Sequence, residues 1–285
     1  MAVKSLLLVL IILVVANIFT WWIIVDAISR ADQVAFLNVG QGDAELVQTR
    51  AGNILIDAGP NNKVLFEIGK ILPFYDRTID LVILSHPNKD HYNGLFDLLD
   101  KYKIKAVMLD NYTYPSSTFQ KLLKELADRN ILLIKGVANV RVSWHNQDKL
   151  SIIYPPEELF FNNNVNASCL VASLFLNNNQ FLFLGDIGSS QEQKLLSWLS
   201  NLKSNFKVLK VSHHGSNSAS SEKFLNILKP QIAIIEVGDN SYGQPHPDVL
   251  KRLSEVGAQI FRTDLSGTIQ FIWKNNAWQM KKETP

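Results

Sequence analysis

Residues 81–91 read LVILSHPNKDH. Four apolar residues here lead directly into two imidazoles and one carboxylate, those of His86, Asp90 and His91. A buried strand that ends in a polar loop is where an α/β protein presents ligands to a cleft. Neutral histidine and ionised aspartate together suit a borderline divalent metal ion. The stretch therefore predicts a metal site at a strand end, and metal-dependent hydrolysis is the leading hypothesis for its chemistry.

Residues that can hold a metal recur at four further places where an apolar run ends. These are Asp57, Asp186, the pair His213-His214, and His246. Taken singly, an aspartate before glycine is often a turn residue or helix cap, and a histidine before proline is often a solvated loop residue. However, five of the six histidines lie in these loops, each near a glycine or an aspartate. The joint pattern favours one shared metal site.

Length and composition exclude several classes of protein. The 285 residues suffice for one large domain or two small ones, and the net charge of +2 is too small to indicate nucleic-acid binding by itself. The single cysteine, Cys169, excludes an internal disulfide and a thiolate-based structural zinc site. Because Cys169 begins an apolar strand-like run, a buried thiol is favoured over a nucleophile.

Residues 5–25 are almost wholly apolar. As a helix, 21 residues span about 31 Å, which matches a hydrocarbon core, and Trp21 and Trp22 suit an interfacial aromatic belt. A cleavable signal has a shorter apolar region of about 7–15 residues, although residues 25–27 offer a weak cleavage site. We expect an uncleaved anchor, with a removed signal and a buried core helix as the alternatives.

The charges that flank this segment predict its orientation. Lys4 precedes it, whereas Asp26, Arg30 and Asp32 follow it, which slightly favours a cytoplasmic N-terminus. We therefore expect residues 1–32 to form a membrane anchor with a short linker, and residues 33–285 to form one hydrolase domain. The protein would be a single-pass protein of the cell membrane with an extracytoplasmic domain, or a secreted one after signal cleavage.

Apolar runs bounded by turn residues predict thirteen strands, and 3.6-residue periodicity predicts six helices. The strands are predicted at 34–39, 44–48, 53–57, 81–85, 105–109, 131–135, 150–154, 169–176, 180–184, 208–211, 232–236, 259–261 and 268–273. The helices are predicted at 64–72, 95–102, 117–129, 190–199, 221–228 and 247–256. Because hairpin-like pairs mix with strand–helix–strand units, we expect two mixed sheets packed together with helices outside.

Several motifs together resemble one known family. In chain order they are FLNVGQGDA at 36–44, DAG at 57–59, SHPNKDHYNG at 85–94, NAS at 166–168, GD at 185–186, LKVSHHGS at 209–216, YGQPHP at 242–247 and RTD at 262–264. Over residues 33–273 the chain resembles the metallo-β-lactamase superfamily, and within it the domain found in the competence protein ComEC. With one visible spanning segment, it looks like a freestanding, singly anchored relative. The resemblance implies an α/β fold, a four-layer αββα sandwich with metals at the sheet edge.

The resemblance also implies a ligand set. The superfamily's metal loop reads His-x-His-x-Asp-His, and here Asn88 replaces the second histidine. A further histidine is usual near Asn166 and is missing, while His213 is the rival of His214 as the last ligand. The metal ligands implied are His86, Asp90, His91, Asp186 and His214.

These departures weaken one of two metal positions. Asp90, His91, Asp186 and His214 could hold one metal ion by themselves. The second position keeps only His86 and the shared Asp186, with Asn88 as a weak ligand. A neutral amide oxygen is a poor ligand for zinc but is acceptable to Mn²⁺ or Mg²⁺. We therefore expect Mn²⁺ or Zn²⁺, with Mg²⁺ as a further option, in one firm site and one weak site.

A bound divalent metal lowers the pKa of its water, and Asp90 or Asp186 could receive the proton. Positive charge must also meet the oxygens of a phosphodiester transition state, and the candidates for this catalytic role are His213, His246 and Lys210. Lys210 lies inside a strand run, so packing at the sheet edge is an equally good interpretation. Asp57 would support the site. The residues expected to contact substrate are Gly42, Asp43, Asn166, Ser168, Gly215 and Ser216.

Three functions remain open at this stage. The first is an extracytoplasmic metal-dependent phosphodiesterase or nuclease that acts on DNA and works with DNA-uptake machinery, as the ComEC resemblance implies. The second is a hydrolase of small esters or lactams, which is disfavoured because Asn88 interrupts the zinc ligand set. The third is a catalytically silent, anchored binding module that retains the fold, as the two missing histidines suggest.

Overall fold

The computed structural model describes residues 2–110, 113–144, 148–159, 165–199 and 207–283. The helices in this part of the chain are α1 Ala2–Ser29, α2 Lys63–Ile71, α3 Lys89–Tyr92, α4 Leu95–Leu99, α5 Ser117–Asp128, α6 Val165–Ser168, α7 Ser189–Leu199, α8 Glu222–Leu228, α9 Pro247–Glu255 and α10 Thr263–Ser266. Short 3₁₀ turns cover Glu157–Leu159 and Ser212–Gly215.

The strands form two large mixed sheets and one small one. They are β1 Gln33–Phe36, β2 Glu45–Thr49, β3 Gly52–Ile56, β4 Thr78–Ile79, β5 Leu81–Leu84, β6 Lys103–Ile104, β7 Ala106–Leu109, β8 Leu132–Lys135, β9 Arg141–Ser143, β10 Lys149–Tyr154, β11 Val171–Leu176, β12 Asn179–Phe183, β13 Val208–Lys210, β14 Ile232–Ile235, β15 Gln259–Arg262, β16 Ile269–Lys274 and β17 Ala277–Lys282. The first sheet has the order β17-β16-β1-β2-β3-β5-β7-β8, the second β15-β14-β13-β12-β11-β10-β9, and β4 pairs with β6.

Three apolar clusters define four layers. The middle cluster joins the two sheets, and within it the rings of Phe36 and Phe183 lie 5.9 Å apart. A second cluster packs the first sheet against α2, α4 and α5, and a third packs the second sheet against α7, α8 and α9. Each sheet is therefore apolar on both faces, as a sheet between a partner sheet and helices requires. The expected αββα sandwich is confirmed.

Differences from the expected elements fall where local pattern is weak. Strand β1 ends at Phe36 rather than at residue 39, because the chain then turns through Gly40, whose φ is +89°. Strand β17 was not expected, since its sequence AWQMKK is mostly exposed and pairs only with β16. Helix α3 is a single turn, too short for periodicity to predict.

Helix α1 is long and apolar enough to cross a membrane. Its 28 residues span about 42 Å, and none of its most apolar window is buried against the domain. That exposure does not fit the alternative of a buried core helix.

Two glycines on neighbouring elements give a matched test of this packing. A Cβ on Gly94 would lie 2.7 Å from the Asn61 carbonyl oxygen and closer still to that of Ala58, whereas a Cβ on Gly69, inside α2, would meet nothing within 4 Å. We expect Gly94→Ala to lower the free energy of unfolding by about 1–3 kcal/mol through overpacking. Gly69→Ala should raise it by up to about 1 kcal/mol through helix propensity.

Thermal unfolding of the full chain in detergent micelles, followed by circular dichroism, measures both effects. Equal shifts for the two variants would contradict the close approach of Gly94 to the loop after β3.

Candidate metal centre

The polar cluster lies where strand ends from both sheets meet. Strands β3 and β5 are parallel neighbours in the first sheet, and β12, β13 and β14 are parallel in the second. The carboxyl ends of parallel strands share one edge, so the loops that follow them converge there. These loops carry Asp57, His86 to His91, Asp186 and His214. The fold thus brings together residues up to 157 positions apart (57 to 214).

Asp186 is the centre of the cluster. Its Oδ2 lies 3.4 Å from His91 Nε2, 3.7 Å from His86 Nε2, 3.7 Å from His213 Nε2 and 4.0 Å from His214 Nε2. The carboxylate is almost fully buried, and its backbone N–H donates to Cys169 Sγ at 3.3 Å. A single carboxylate that faces four imidazoles has the geometry expected of a bridging ligand.

His91 is held from behind by Asp57. Its Nδ1 lies 2.8 Å from Asp57 Oδ2, which also accepts a hydrogen bond from Ser85 Oγ at 2.6 Å, while Asp57 Oδ1 accepts one from Ser85 N at 2.7 Å. The Asp57 carboxylate thus fixes the ring so that Nε2 faces Asp186. Burial acts to lower the pKa of His91, but Asp186 and Asp57 outweigh it and raise that pKa well above its usual value, so a cation bound at Nε2 would take the place of a proton. A carboxylate in this position commonly orients a metal-binding imidazole.

His214 is fixed in a similar way from the second sheet. Its Nδ1 lies 2.9 Å from the carbonyl oxygen of Glu236 and 3.2 Å from Asp43 Oδ1, and its Nε2 lies 3.3 Å from Asp90 Oδ2. The backbone φ of His214 is +52°, an unfavourable region for a histidine, which turns the ring into the cluster. His214 is buried, whereas the side chain of His213 is 31% exposed.

The donor atoms present fit a metal ion. Ligand atoms of Asp90, His91, Asp186 and His214 all lie within 4.8 Å of one another. Four atoms of the cluster, His86 Nε2, His91 Nε2, His213 Nδ1 and Asp186 Oδ1, are buried and have no hydrogen-bond partner. Leaving a buried polar atom unpaired costs about 1–3 kcal/mol, and the first two atoms face Asp186 Oδ2 at 3.7 Å and 3.4 Å, so binding a cation there would offset part of this cost.

Electrostatics keep His86 neutral and Asp90 and Asp186 ionised, which are the forms of these three groups that bind a cation. Burial, together with the neighbouring His91, lowers the pKa of His86 to about 3, so this imidazole stays neutral. Burial acts against ionisation of Asp90, but the hydrogen bond from His214 and the charge of His91 outweigh it and lower the Asp90 pKa to about 2. The pKa of Asp186 is also held well below its usual range, because His91 and His214 outweigh its burial.

The second metal position is poorer. His86 is fully buried, and its Nδ1 lies 3.0 Å from Ser85 Oγ and 3.8 Å from Cys169 Sγ, which leaves Nε2 directed at Asp186. Asn88 begins α3 as its N-cap residue without forming a side-chain cap, and it is partly exposed. His213 and the shared Asp186 complete the surroundings. The surroundings of His86 thus offer fewer candidate donors than the group formed by Asp90, His91, Asp186 and His214.

Asp43 and Lys210 are buried beside the cluster and are not exposed to solvent. The Lys210 ammonium forms an ion pair with Asp43 Oδ2 and also donates to the Gly185 carbonyl oxygen at 3.3 Å, and its side chain is 0% exposed. This differs from the expectation that Asp43 contacts substrate and that Lys210 meets its developing charge. The reason is that β13 lies inside the second sheet, so Lys210 has no path to solvent.

Two more carboxylates surround this ion pair. Glu45 and Glu236 lie within 4.8 Å of Asp43, and all three are buried. Burial raises the pKa of Glu236 to about 7, and burial together with Glu236 raises that of Glu45 well above its usual value. Burial also lowers the pKa of Lys210 to about 7, while Glu236 opposes that shift. The contact with Asp43 and the nearby Glu236 favour the charged ammonium of Lys210, against this effect of burial.

The other predicted residues lie nearby in different roles. The His246 ring caps α9, since its Nδ1 accepts a hydrogen bond from Asp248 N at 3.2 Å. The backbone N–H of His246 donates to the Gly215 carbonyl oxygen at 2.9 Å. Ser168 is fully buried and donates to Asp110 at 2.9 Å, so it does not face solvent. Ser216 is partly exposed. Asn166 lies in α6, and its side chain is outside the described part of the structure.

Close contacts with the neighbouring chain explain why residue 42 is a glycine. A Cβ there would lie 2.7 Å from Pro60 Cδ and closer still to the Asp90 carbonyl oxygen, and Asp43 N donates to that same oxygen at 3.3 Å. The loop after β1 therefore supports the backbone of Asp90. Its contribution is to hold a ligand loop in place.

Sequence reasoning missed three supporting groups: the Ser85 hydroxyl, the Cys169 thiol and the Glu236 carbonyl. Only Ser85 offered a signal, since it stands directly before His86. The other two flank strands, with Cys169 before β11 and Glu236 after β14, and they approach the site only in the folded chain.

Comparison with known proteins agrees with this geometry. The family model described as the metallo-beta-lactamase superfamily matches residues 37–238. The chain is 28% identical over 273 residues to ComE operon protein 3 of Bacillus subtilis, covering 88% of this chain and 34% of that protein. It is 29% identical over 244 residues to competence protein ComA of Neisseria gonorrhoeae, covering 84% and 32% respectively. It thus spans about a third of the length of these curated relatives.

The fold is also shared with a solved structure. The metallo-beta-lactamase fold protein YhfI from Bacillus subtilis superposes with a TM-score of 0.56 at 12% identity, over 86% of this chain and 99% of that one. The chain belongs to the metallo-beta-lactamase superfamily. Within it, the curated relatives are competence proteins of the ComEC type, and the resemblance read from the sequence is confirmed.

The buried ion pair yields a stability prediction. Lys210→Met should lower the free energy of unfolding by about 3–5 kcal/mol, because it leaves the Asp43 carboxylate buried without its counter-ion. Adding Asp43→Asn to that variant should recover part of the loss. Lys124→Met is the matched control, since the Lys124–Asp128 pair is exposed and worth about 0–1 kcal/mol.

Chemical unfolding of the full chain in detergent micelles gives these values. A loss at Lys210 no larger than the loss at Lys124 would contradict the role assigned to the buried pair.

Proposed function

We propose that the protein is a metal-dependent phosphodiesterase that cleaves DNA at the Asp186 cluster. The observation that carries the proposal is that the buried, unpartnered atoms His86 Nε2 and His91 Nε2 face the same Asp186 carboxylate, at 3.7 Å and 3.4 Å from its Oδ2. Membership of a superfamily of metal-dependent hydrolases supports hydrolysis as the reaction. The relatives' names refer to competence and recombination, which are processes that handle DNA, and they support DNA as the substrate.

The proposed ligands of the firm site are Asp90, His91, Asp186 and His214, and His86 with Asp186 would form the weaker site. A divalent cation bound there would lower the pKa of a water molecule and draw electron density from a phosphoryl oxygen. Mn²⁺ suits this mixed oxygen and nitrogen donor set, and Zn²⁺ is the alternative.

Two side chains are placed to act on substrate. The Asp90 carboxylate is 36% exposed, more than the other carboxylates of the cluster, so it is the base best placed to accept a proton from an attacking water. His213 is 31% exposed and its Nε2 lies 3.7 Å from Asp186, so its ring borders both the cluster and solvent. We assign His213 the contact with a phosphate oxygen, in place of the buried Lys210.

Helix α1 supports a location at the membrane. An apolar helix of this length could span a bilayer, and the charge asymmetry around it favours an extracytoplasmic domain. We propose an uncleaved, single-pass anchor that holds the hydrolase domain outside the cytoplasm, where incoming DNA and uptake machinery would be encountered.

Loss of the central carboxylate should abolish the proposed activity. We expect Asp186→Asn to lower the rate of Mn²⁺-dependent cleavage of single-stranded DNA by at least about 10²-fold, because the bridging negative charge disappears. Asp128→Asn, on the exposed face of α5, is the matched control and should cleave at the parental rate.

Fluorescent oligonucleotides incubated with the full chain in micelles provide the assay. A parent that cleaves no DNA with Mn²⁺, Zn²⁺ or Mg²⁺ would support the silent binding module, and turnover of a chromogenic lactam would support the small-molecule hydrolase.

The substitution at Asn88 gives a prediction about metal content. Asn88→His should restore the second histidine of the metal loop and raise the number of tightly bound metal ions from one towards two. Equilibrium dialysis with metal analysis measures this number, and Asn93→His, on the other side of α3, is the control. An unchanged metal count in Asn88→His would show that Asn88 does not face the weaker site.

A further inference from the structure

The loop between α2 and β4 packs against the C-terminal half of helix α1, which is the half next to the domain. The ring of Phe74 stacks on that of Phe19 with centroids 6.3 Å apart, and the ring of Tyr75 meets Trp22 edge-on, also at 6.3 Å. Phe19 and Trp22 lie ten and seven residues before the end of α1 at Ser29. At about 1.5 Å per residue, the loop reaches roughly 10–15 Å back along the helix from the point where the chain enters the domain.

Polar contacts fix the loop in this position. The Tyr75 hydroxyl donates to Asp26, Arg30 Nη1 donates to Asp76 Oδ2 at 2.5 Å, and the Arg30 guanidinium lies 5.7 Å from the centroid of the Tyr75 ring. These residues flank the apolar segment on its domain side. The last turns of α1 are therefore tied to the domain by side chains as well as by the backbone.

Phe74 remains exposed in spite of its contact with Phe19. Its exposed fraction is 60%, and Trp22 beside it is 52% exposed. Trp and Tyr gather at the boundary between hydrocarbon and water, and segments that lie in this boundary bury Phe and Leu side chains there as well. An exposed phenylalanine at the level of Trp21 and Trp22 thus has the chemistry of a membrane-interface residue.

The topology places the metal-binding edge at the opposite end of the domain. Strand β1 starts beside the anchor at Gln33 and runs towards the loop that supports Asp90. Strand β16 runs antiparallel to it and brings Trp273 back, so that Trp273 N donates to the Asp32 carbonyl oxygen. The anchor therefore lies at one end of the first sheet, and the loops that carry the proposed metal ligands lie at the other end.

We infer that the loop Pro73–Asp76 seats the domain on the lipid interface, with Phe74 immersed and the metal-binding edge directed away from the bilayer. Arg30 pairs with Asp76, Asp26 accepts a hydrogen bond from Tyr75, and Arg77 donates to the Phe74 carbonyl oxygen, so the group that the loop offers to a partner is the apolar Phe74 ring, which fits the interfacial zone of a zwitterionic bilayer. The inference rests on the proposed membrane anchoring, and it adds an orientation. Substrate would then reach the site from the aqueous side.

A fluorescent probe at two matched positions tests this seat. Phe74→Cys and Leu265→Cys replace residues with similar exposure, 60% and 63%, but Leu265 follows β15 at the metal-binding edge. The native Cys169 is fully buried and burial raises its pKa well above the usual value, so it does not compete for the label. The labelled full chain is reconstituted in phosphatidylcholine vesicles with and without brominated acyl chains.

We expect several-fold stronger quenching by brominated lipid, and a blue-shifted emission, at position 74 than at position 265. Equal quenching at the two positions, or no quenching at 74, would overturn the inference. Only protein that floats with the vesicles is measured, so failure of the anchor itself shows separately as failure to float. Thermal unfolding confirms that each labelled variant is folded, and Pro73→Cys replaces Phe74→Cys if the latter is not.

Discussion

The candidate site depends on the hydrogen bonds that the Asp57 carboxylate accepts. This buried group follows β3, has a φ of +55°, and binds Ser85 N and Ser85 Oγ at the end of the neighbouring strand β5. Through His91 Nδ1 it also sets the direction of the ring that faces Asp186. One carboxylate thus joins two parallel strands and aims a ligand, so strand register and ligand geometry are coupled. Substitution of Asp57 should disturb both.

The buried charges of Asp43 and Lys210 lie next to two of the proposed ligands, His91 and His214. Asp43 lies 3.6 Å from His91 and 3.2 Å from His214, while its other contact is the buried ammonium of Lys210. Burying charge is costly unless it is paired, and here the pair is shared with ligands that a cation would further stabilise. A large group of buried charges thus lies at this edge, while apolar clusters fill the interfaces between sheets and helices. Metal binding and folding are expected to reinforce each other.

The sequence predicted the strands of both sheet centres because buried strands read as continuous apolar runs, such as 81–84 and 232–235. It did not predict β17, whose side chains are mostly exposed, because an edge strand of this kind has no apolar pattern. The ligand loops were recognisable for a similar reason: each polar residue directly follows an apolar run. Their placement around one point is a result of the parallel strand order.

Contacts between distant positions could not be predicted from local pattern. Lys210 and Asp43 are 167 residues apart, and nothing in either motif indicates that the two side chains pair. The choice between His213 and His214 was also open, since the residues are adjacent and identical in type. Both residues have nearly the same positive φ, +51° and +52°, so the difference lies in their contacts: His214 is buried on the Glu236 carbonyl oxygen, whereas His213 is partly exposed.

The central claim is that one cation is held between Asp90, His91, Asp186 and His214. An anomalous-difference map from crystals grown with Mn²⁺, recorded on both sides of the manganese absorption edge, tests this claim directly. The account predicts the strongest peak within bonding distance of those four side chains, with a weaker peak, or none, beside His86. A strongest peak among Asp43, Glu45 and Glu236, the other buried acidic group, would contradict it. The absence of any peak at these residues and at the four proposed ligands would also contradict it.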